Sequence, residues 1–195
     1  MSINFDSILI ILICYLVGSI PFGLLISILL KKNDPRYSGS RNIGATNIVR
    51  TSGWRLGLLT LSCDIFKGYI PLLIFKDSLI SFESMILFLF LGHLFPIWIK
   101  FRGGKGIAVL IGSLAAYNSF FCLIFIIIWI CVAILTKYSS LSALISSTSV
   151  LIIFYLQEDS LLPIMTFIVF LIFMKHIPNI KRLLKGTESK IILKK

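Results

Sequence analysis

The sequence predicts an all-α, polytopic membrane helical bundle of about seven transmembrane segments, with the N-terminus outside and the C-terminus cytoplasmic. Three observations carry this. The chain of 195 residues is 57% hydrophobic with a mean hydropathy of +0.99, well above soluble domains. Apolar runs recur along nearly the whole length, most at or near the roughly 20 residues a helical span needs. All but Lys67 and Lys76 of the 19 Lys and Arg residues fall on every second connection or at its edge, and basic connections stay cytoplasmic. At this size a single domain over residues 1–195 is expected.

The segments run over residues 3–30, 54–75, 80–99, 104–117, 120–136, 141–156 and 161–174. The first has Asp6 rather than a basic residue ahead of it and is too long for a secretory leader. The second holds Asp64 and Lys67 at i and i+3, so one helical face brings them together. An ionisable group at membrane depth costs several kcal/mol, so the two read as a mutual ion pair or as the wall of a polar site. The third holds Gly92, His93 and Pro96; His93 reads first as a hydrogen-bonded packing residue. The fourth is short for a span, a half-helix or re-entrant piece; a crossing there keeps the basic C-terminal region on the basic face. The sixth and seventh are marginal in length. Asp6, Asp77, Glu83, Glu158 and Asp159 fall on the opposite face. Cys14, Cys63, Cys122 and Cys131 lie inside apolar runs, with no metal-ligand or disulfide spacing, and read as small core residues.

Three polar stretches gather on the basic face. In "DPRYSGSRNIGATNIVRTSG", residues 34–53, Gly39 and Gly44 have the spacing of a phosphate-binding loop, but Ala45 stands where that motif has lysine, and a membrane helix precedes it instead of a strand. The loop still has turn formers, donors at Ser38, Ser40, Thr46 and Asn47, and Arg36, Arg41 and Arg50, each able to grip a phosphate bidentately. In "GHLFPIWIKFRGGKGIAVLIG", residues 92–112, Gly103, Gly104 and Gly106 surround Lys105 where a short segment begins. Helix N-termini offer free N–H groups and a positive dipole end to an anion. In "KHIPNIKRLLKGTESK", residues 175–190, His176, Asn179, Lys181, Arg182 and Glu188 follow the last apolar run. This stretch reads either as a basic tail on lipid headgroups or as a site carrying a proton-accepting histidine.

Together these point to an anion site at the cytoplasmic end of a lipid-embedded bundle, for a phosphorylated and amphiphilic substrate. The net charge of +11 follows from the bias towards the inner face, and nucleic acid is not an expected partner. No metal or cofactor is expected. A small transporter of an anionic phosphorylated metabolite is the rival reading, because broken helices suit it equally. One-sided polarity and very short outer connections count against it.

The stretches "GSRNIGATNIVRTSG", "GHLFPIWIKFRGGKGIA" and "NIKRLLKGTESK", with "GSIPFG" and "DIFKG", resemble in order and spacing the bacterial acyl-phosphate:glycerol-3-phosphate acyltransferase family (PlsY), over essentially the whole chain. The resemblance implies an inner-membrane enzyme with its site facing the cytoplasm. It would move a fatty acyl group from acyl phosphate to the 1-hydroxyl of glycerol 3-phosphate, giving lysophosphatidic acid and phosphate, the first step of phospholipid synthesis. It implies catalytic roles for Ser38, Arg50, Lys105, His176, Asn179 and Glu188. It also implies phosphate or pocket roles for Ser40, Arg41, Asn42, Gly44, Thr46, Asn47, Gly103, Gly104, Gly106 and Lys67. Partners are the two substrates, the bilayer and, as a further candidate, the enzyme that makes acyl phosphate. Arg41, Ile43, Ile177 and Pro178 depart from the commonest family pattern. Neither histidine starts the His-x-x-x-x-Asp motif of acyl-CoA-dependent acyltransferases, since Trp98 follows His93 by five residues and Lys181 follows His176 by five.

Overall fold

The computed structural model describes residues 5–191, so positions 3 and 4 of the first expected segment lie outside the described residues. Every regular element among the described residues is helical. The helices are α1 (Phe5–Ser19), α2 (Phe22–Leu29), α3 (Ala45–Ser52), α4 (Trp54–Ile74), α5 (Phe82–Leu94), α6 (Ile107–Tyr117), α7 (Ser119–Thr136), α8 (Ser139–Leu156) and α9 (Leu162–Leu184), with a 3-10 turn at Ile97–Ile99. Each apolar segment becomes helix. Among the described residues, five helical stretches are long and apolar enough to cross a membrane, and α1 with α2 form a bent sixth. The 11-residue α6 spans about 16 Å, roughly half a bilayer core. Length alone therefore does not supply the expected seventh crossing.

The bend between α1 and α2 is 48°. Pro21 sits at the break and has no backbone N–H to continue the ladder. Lys67 Nζ donates to the carbonyl of Ile20 at 2.6 Å, so a side chain from α4 satisfies an oxygen the break leaves free. Lys67 also lies 2.7 Å from Asp64 Oδ1, and both are buried. The expected i, i+3 pair is present, since neither charge tolerates apolar surroundings alone.

Packing runs α1 on α5, α4 on α6, α7 on α8 and α8 on α9. α4 and α6 approach closely because Gly68 faces the backbone of Val109 and Gly112 faces that of Ile65, where any Cβ would collide. Fully buried Leu72, Leu89, Phe90, Val109, Phe121 and Phe154 belong to one apolar core. At the bundle end away from the polar stretches, Tyr117 packs on Phe82, Phe121 and Phe154 and donates to Asp159 at 2.8 Å. Cys14 and Cys122 are buried as expected, whereas Cys63 is half-buried and Cys131 exposed on the outer face of α7; all four are free.

Candidate active site

The loop of residues 34–44 is organised by one buried side chain. The Asn47 amide nitrogen reaches the carbonyls of Pro35, Ser38 and Asn42 at 3.1, 3.1 and 2.8 Å, and its oxygen accepts from Ser40 N–H at 2.8 Å. Asn47 therefore holds the loop in shape and has little left for a ligand. Asp34 binds Arg36 at 2.6 Å, and the Arg36 guanidinium holds the Asp34 carboxyl below its usual range. Ser38 donates to the carbonyl of Asp34 at 2.9 Å.

α9 differs from expectation. It does not stop at residue 174 but continues to Leu184 through Pro178. Pro178 is on the exposed side and His176 and Asn179 on the buried side. Helical spacing puts those two on one inward face, so they belong to a helix and not to a surface tail. Asn179 donates to Glu188 Oε1 at 2.7 Å, Ser140 donates to the same oxygen at 2.7 Å, and Arg182 donates to Oε2 at 2.6 Å. Burial alone would raise the Glu188 carboxyl; the bonds from Asn179, Ser140 and Arg182 outweigh it and hold the group below its usual value. The segment after α9 then crosses the polar end of the bundle. Ser189 accepts from Arg50 at 2.9 Å, and Ile191 N–H donates to Lys137 at 2.7 Å.

Lys105 completes the chain of contacts, donating to Asn179 Oδ1 at 2.5 Å. Burial, aided by Arg182 and Arg50 and opposed by Glu188, draws its ammonium down to about 8. Arg50 is likewise lowered, by burial first, with Glu188 opposing; its Nε is buried without a partner and faces the same space. His176 Nδ1 lies 2.8 Å from the carbonyl of Ile172. A carbonyl only accepts, so Nδ1 carries the hydrogen and Nε2 is the acceptor of the neutral ring.

These groups line one cavity of about 880 Å³. Its polar end holds Ser40, Asn42, Gly44, Thr46, Asn47, Arg50, Lys105, Gly106, His176, Asn179 and Glu188. Its other end is an apolar trough from Leu58, Leu61 and Ile65 of α4, Ile107 and Ile111 of α6, and Trp129, Ile130 and Ile134 of α7. Five expected site residues do not reach its wall. Ser38 is turned into its own loop; Arg41 is at an exposed turn with φ of 58°. Lys67 is committed to Asp64 and Ile20. The N–H groups of Gly103 and Gly104 donate to the carbonyls of Leu94 and His93 at 3.2 and 3.1 Å. The backbone of this loop that lines the cavity is thus Gly106 and the start of α6, because Gly103 and Gly104 bond back to the end of α5.

Asp64, His93, Lys137, Ser139 and Ser140 also line the cavity. Thr46 and Ser139 hydroxyls meet at 3.1 Å, joining α3 to α8. Nothing local in the sequence marks Ser139 and Ser140, two polar residues opening an apolar run. Among the described residues no cluster of metal-ligating side chains occurs.

A glycerol-3-phosphate acyltransferase family model matches residues 8–186. The chain is 47% identical over 188 residues to a glycerol-3-phosphate acyltransferase of Bartonella quintana (strain Toulouse), covering 92% of this chain and 89% of that one. It is 42% identical to one from Ehrlichia canis (strain Jake), covering 93% and 97%. Its fold superposes on the crystal structure of PlsY, an integral membrane glycerol 3-phosphate acyltransferase, in the glycerol 3-phosphate form, with a TM-score of 0.90, 33% identity and 95% coverage of both chains. The lysophosphatidic acid form of that enzyme gives a TM-score of 0.87 at 31% identity, with the same coverage.

Proposed function

The chain belongs to the glycerol-3-phosphate acyltransferase family, and from that premise we propose that it transfers a fatty acyl group from acyl phosphate to the 1-hydroxyl of sn-glycerol 3-phosphate at the cytoplasmic face of a bacterial inner membrane. The observation that carries this is the two-ended cavity. Arg50, Lys105 and the first turn of α6 supply positive charge and N–H donors for phosphate, while the trough between α4, α6 and α7 accepts a hydrocarbon chain. The join between the two ends is where the acyl carbonyl of an acyl phosphate would lie.

The hydroxyl oxygen attacks the acyl carbonyl carbon and forms the ester bond. The bond from that carbon to the phosphate oxygen breaks, and inorganic phosphate leaves with the electron pair. The hydroxyl proton goes to His176 Nε2 in this reading. Acyl phosphate is already activated, so alignment supplies most of the barrier reduction, on the order of 7–11 kcal/mol. Cationic groups in a partly dry site stabilise the charge growing on the carbonyl oxygen. Glu188 has both oxygens occupied and serves as the anchor that holds Asn179, and through it Lys105. Family membership supports this reading over a transporter. The test is phosphate release by purified protein given palmitoyl phosphate and glycerol 3-phosphate, with palmitoyl-CoA as the alternative donor. Release with acyl phosphate and no transfer from the thioester is expected; transfer from the thioester alone would overturn the donor assignment.

A further inference from the structure

The glycine loop that carries Lys105 rests on one face of α5. A Cβ at Gly106, whose φ is +84°, would overlap the Phe90 ring, and a Cβ at Gly104 would overlap His93 Nε2, with Cε1 and Cδ2 only 3.0 and 3.2 Å away. Phe90 and His93 are spaced i, i+3 and so share a face. The backbone adds two more ties, since the Gly103 and Gly104 N–H groups bind the carbonyls of Leu94 and His93. Lys175 Nζ reaches the Leu94 carbonyl as well, at 2.7 Å. Behind the ring, His93 Nδ1 lies 3.9 Å from Asp64 Oδ1, and Asp64 is pinned by Lys67, which also holds the break in the first span. His93 and Asp64 both reach the wall of the cavity that Lys105 lines. The ring therefore lies between Asp64 of α4 and the loop.

We propose that His93, braced by Asp64, is a positioning residue: its ring sets the height of the Gly103–Gly106 loop and so fixes Lys105 in the cavity. Lys105 is one residue from the contact, and its reach to Asn179 is set at the loop, not along the flexible side chain alone. Without the ring the backbone bonds to Leu94 and His93 remain, but the loop loses the side chain packed against Gly104 and can shift, and the ammonium gains freedom to turn towards water. The charged and titratable groups facing Lys105 are Arg50 from α3, His176 and Arg182 from α9 and Glu188 from the segment after it; Asp64 from α4 and His93 from α5 share the wall. The inference rests on the acyltransferase reading only for what Lys105 binds.

The experiment reads Lys105 itself. Purified protein in detergent is acetylated with limiting acetic anhydride across a pH series, and the Lys105 peptide is quantified by mass spectrometry. Lys67, buried in its ion pair, is the internal control for unfolding and stays protected in folded protein. In His93→Ala the labelling midpoint of Lys105 is expected to rise by about one pH unit or more towards the ordinary lysine value of about 10.4, with Lys67 still protected. If His93→Ala does not fold, Gly104→Ala, which pushes the loop off the ring, takes its place with the same expectation. A midpoint that stays or falls overturns the proposal, as does a rise seen only in molecules whose Lys67 is also labelled. Failure of acyl transfer from acyl phosphate would sink the acyltransferase reading and leave this midpoint measurement intact.

Discussion

Lys105 Nζ donates to Asn179 Oδ1 at 2.5 Å, across 74 positions of sequence. This bond joins the glycine loop at the start of α6 to the last helix, and Asn179 passes the connection to Glu188. The Lys105 cation in the cavity wall is thus held by a neutral amide, itself held by a carboxylate that Ser140 and Arg182 also bind. Such an arrangement keeps Lys105 free of a direct carboxylate partner, so its charge stays available for a phosphate.

Glu188→Gln should lose activity through disorder and not through loss of an acid. The amide cannot accept equally from Asn179, Ser140 and Arg182, and its own NH₂ would oppose one of those donors. Leaving such buried donors unsatisfied costs about 1–3 kcal/mol. A thermal unfolding midpoint below the parent's is expected in detergent, with turnover falling at least tenfold. An unchanged midpoint with lost turnover would instead mark Glu188 as a direct participant.

The pH profile should carry the signature of Lys105. Its ammonium is drawn down to about 8 by burial, with Arg182 and Arg50 adding to the effect. The group is charged below that pH and neutral above it, so kcat/KM should fall as pH rises through about 8. Lys105→Arg should remove this limb, because a guanidinium stays charged throughout. Persistence of the same limb in Lys105→Arg would assign it to another group.

His176→Ala tests the proton's destination. With Nδ1 bonded to the Ile172 carbonyl, Nε2 is the remaining acceptor of a ring that lines the cavity. General-base catalysis is worth about 10²–10⁴, so kcat at saturating substrate should fall by about 100-fold or more. Near-parent kcat with a raised KM would move the proton to a phosphate oxygen of the donor.

Lys67→Met should destabilise the bundle because it strands Asp64 in an apolar setting and frees the Ile20 carbonyl. Removing one partner of a buried pair costs about 3–5 kcal/mol. The double variant Lys67→Met with Asp64→Leu should recover much of the thermal midpoint. A double variant as unstable as Lys67→Met alone would show that the Ile20 contact, and not the stranded charge, dominates.

Much of the architecture was readable in linear order. Run length and hydropathy placed the apolar segments because a bilayer leaves few options to a backbone other than helix. The charge pattern grouped the three polar stretches at one end, and the i, i+3 spacing of Asp64 and Lys67 announced their pairing. Arg50, Lys105, His176 and Asn179, which line the cavity, were legible as candidates because each belongs to a stretch whose polarity is costly beside a membrane without a purpose.

Other features required the folded chain. Ser140 reaches Glu188 over 48 positions, and no local pattern in an apolar run signals such a partner. Asn47 looked like a ligand donor but is consumed by its own loop; Gly103 and Gly104 looked like anion donors but spend their N–H groups on α5. Both outcomes follow from satisfying buried polar groups: the nearest available carbonyl takes the N–H, and which carbonyl is nearest depends on how distant helices pack. Composition and periodicity were enough to assign polar residues to this end of the bundle. Three-dimensional packing then chose which of them face the cavity and which support those that do, because hydrogen-bond partners are selected by proximity in space and not by separation along the chain.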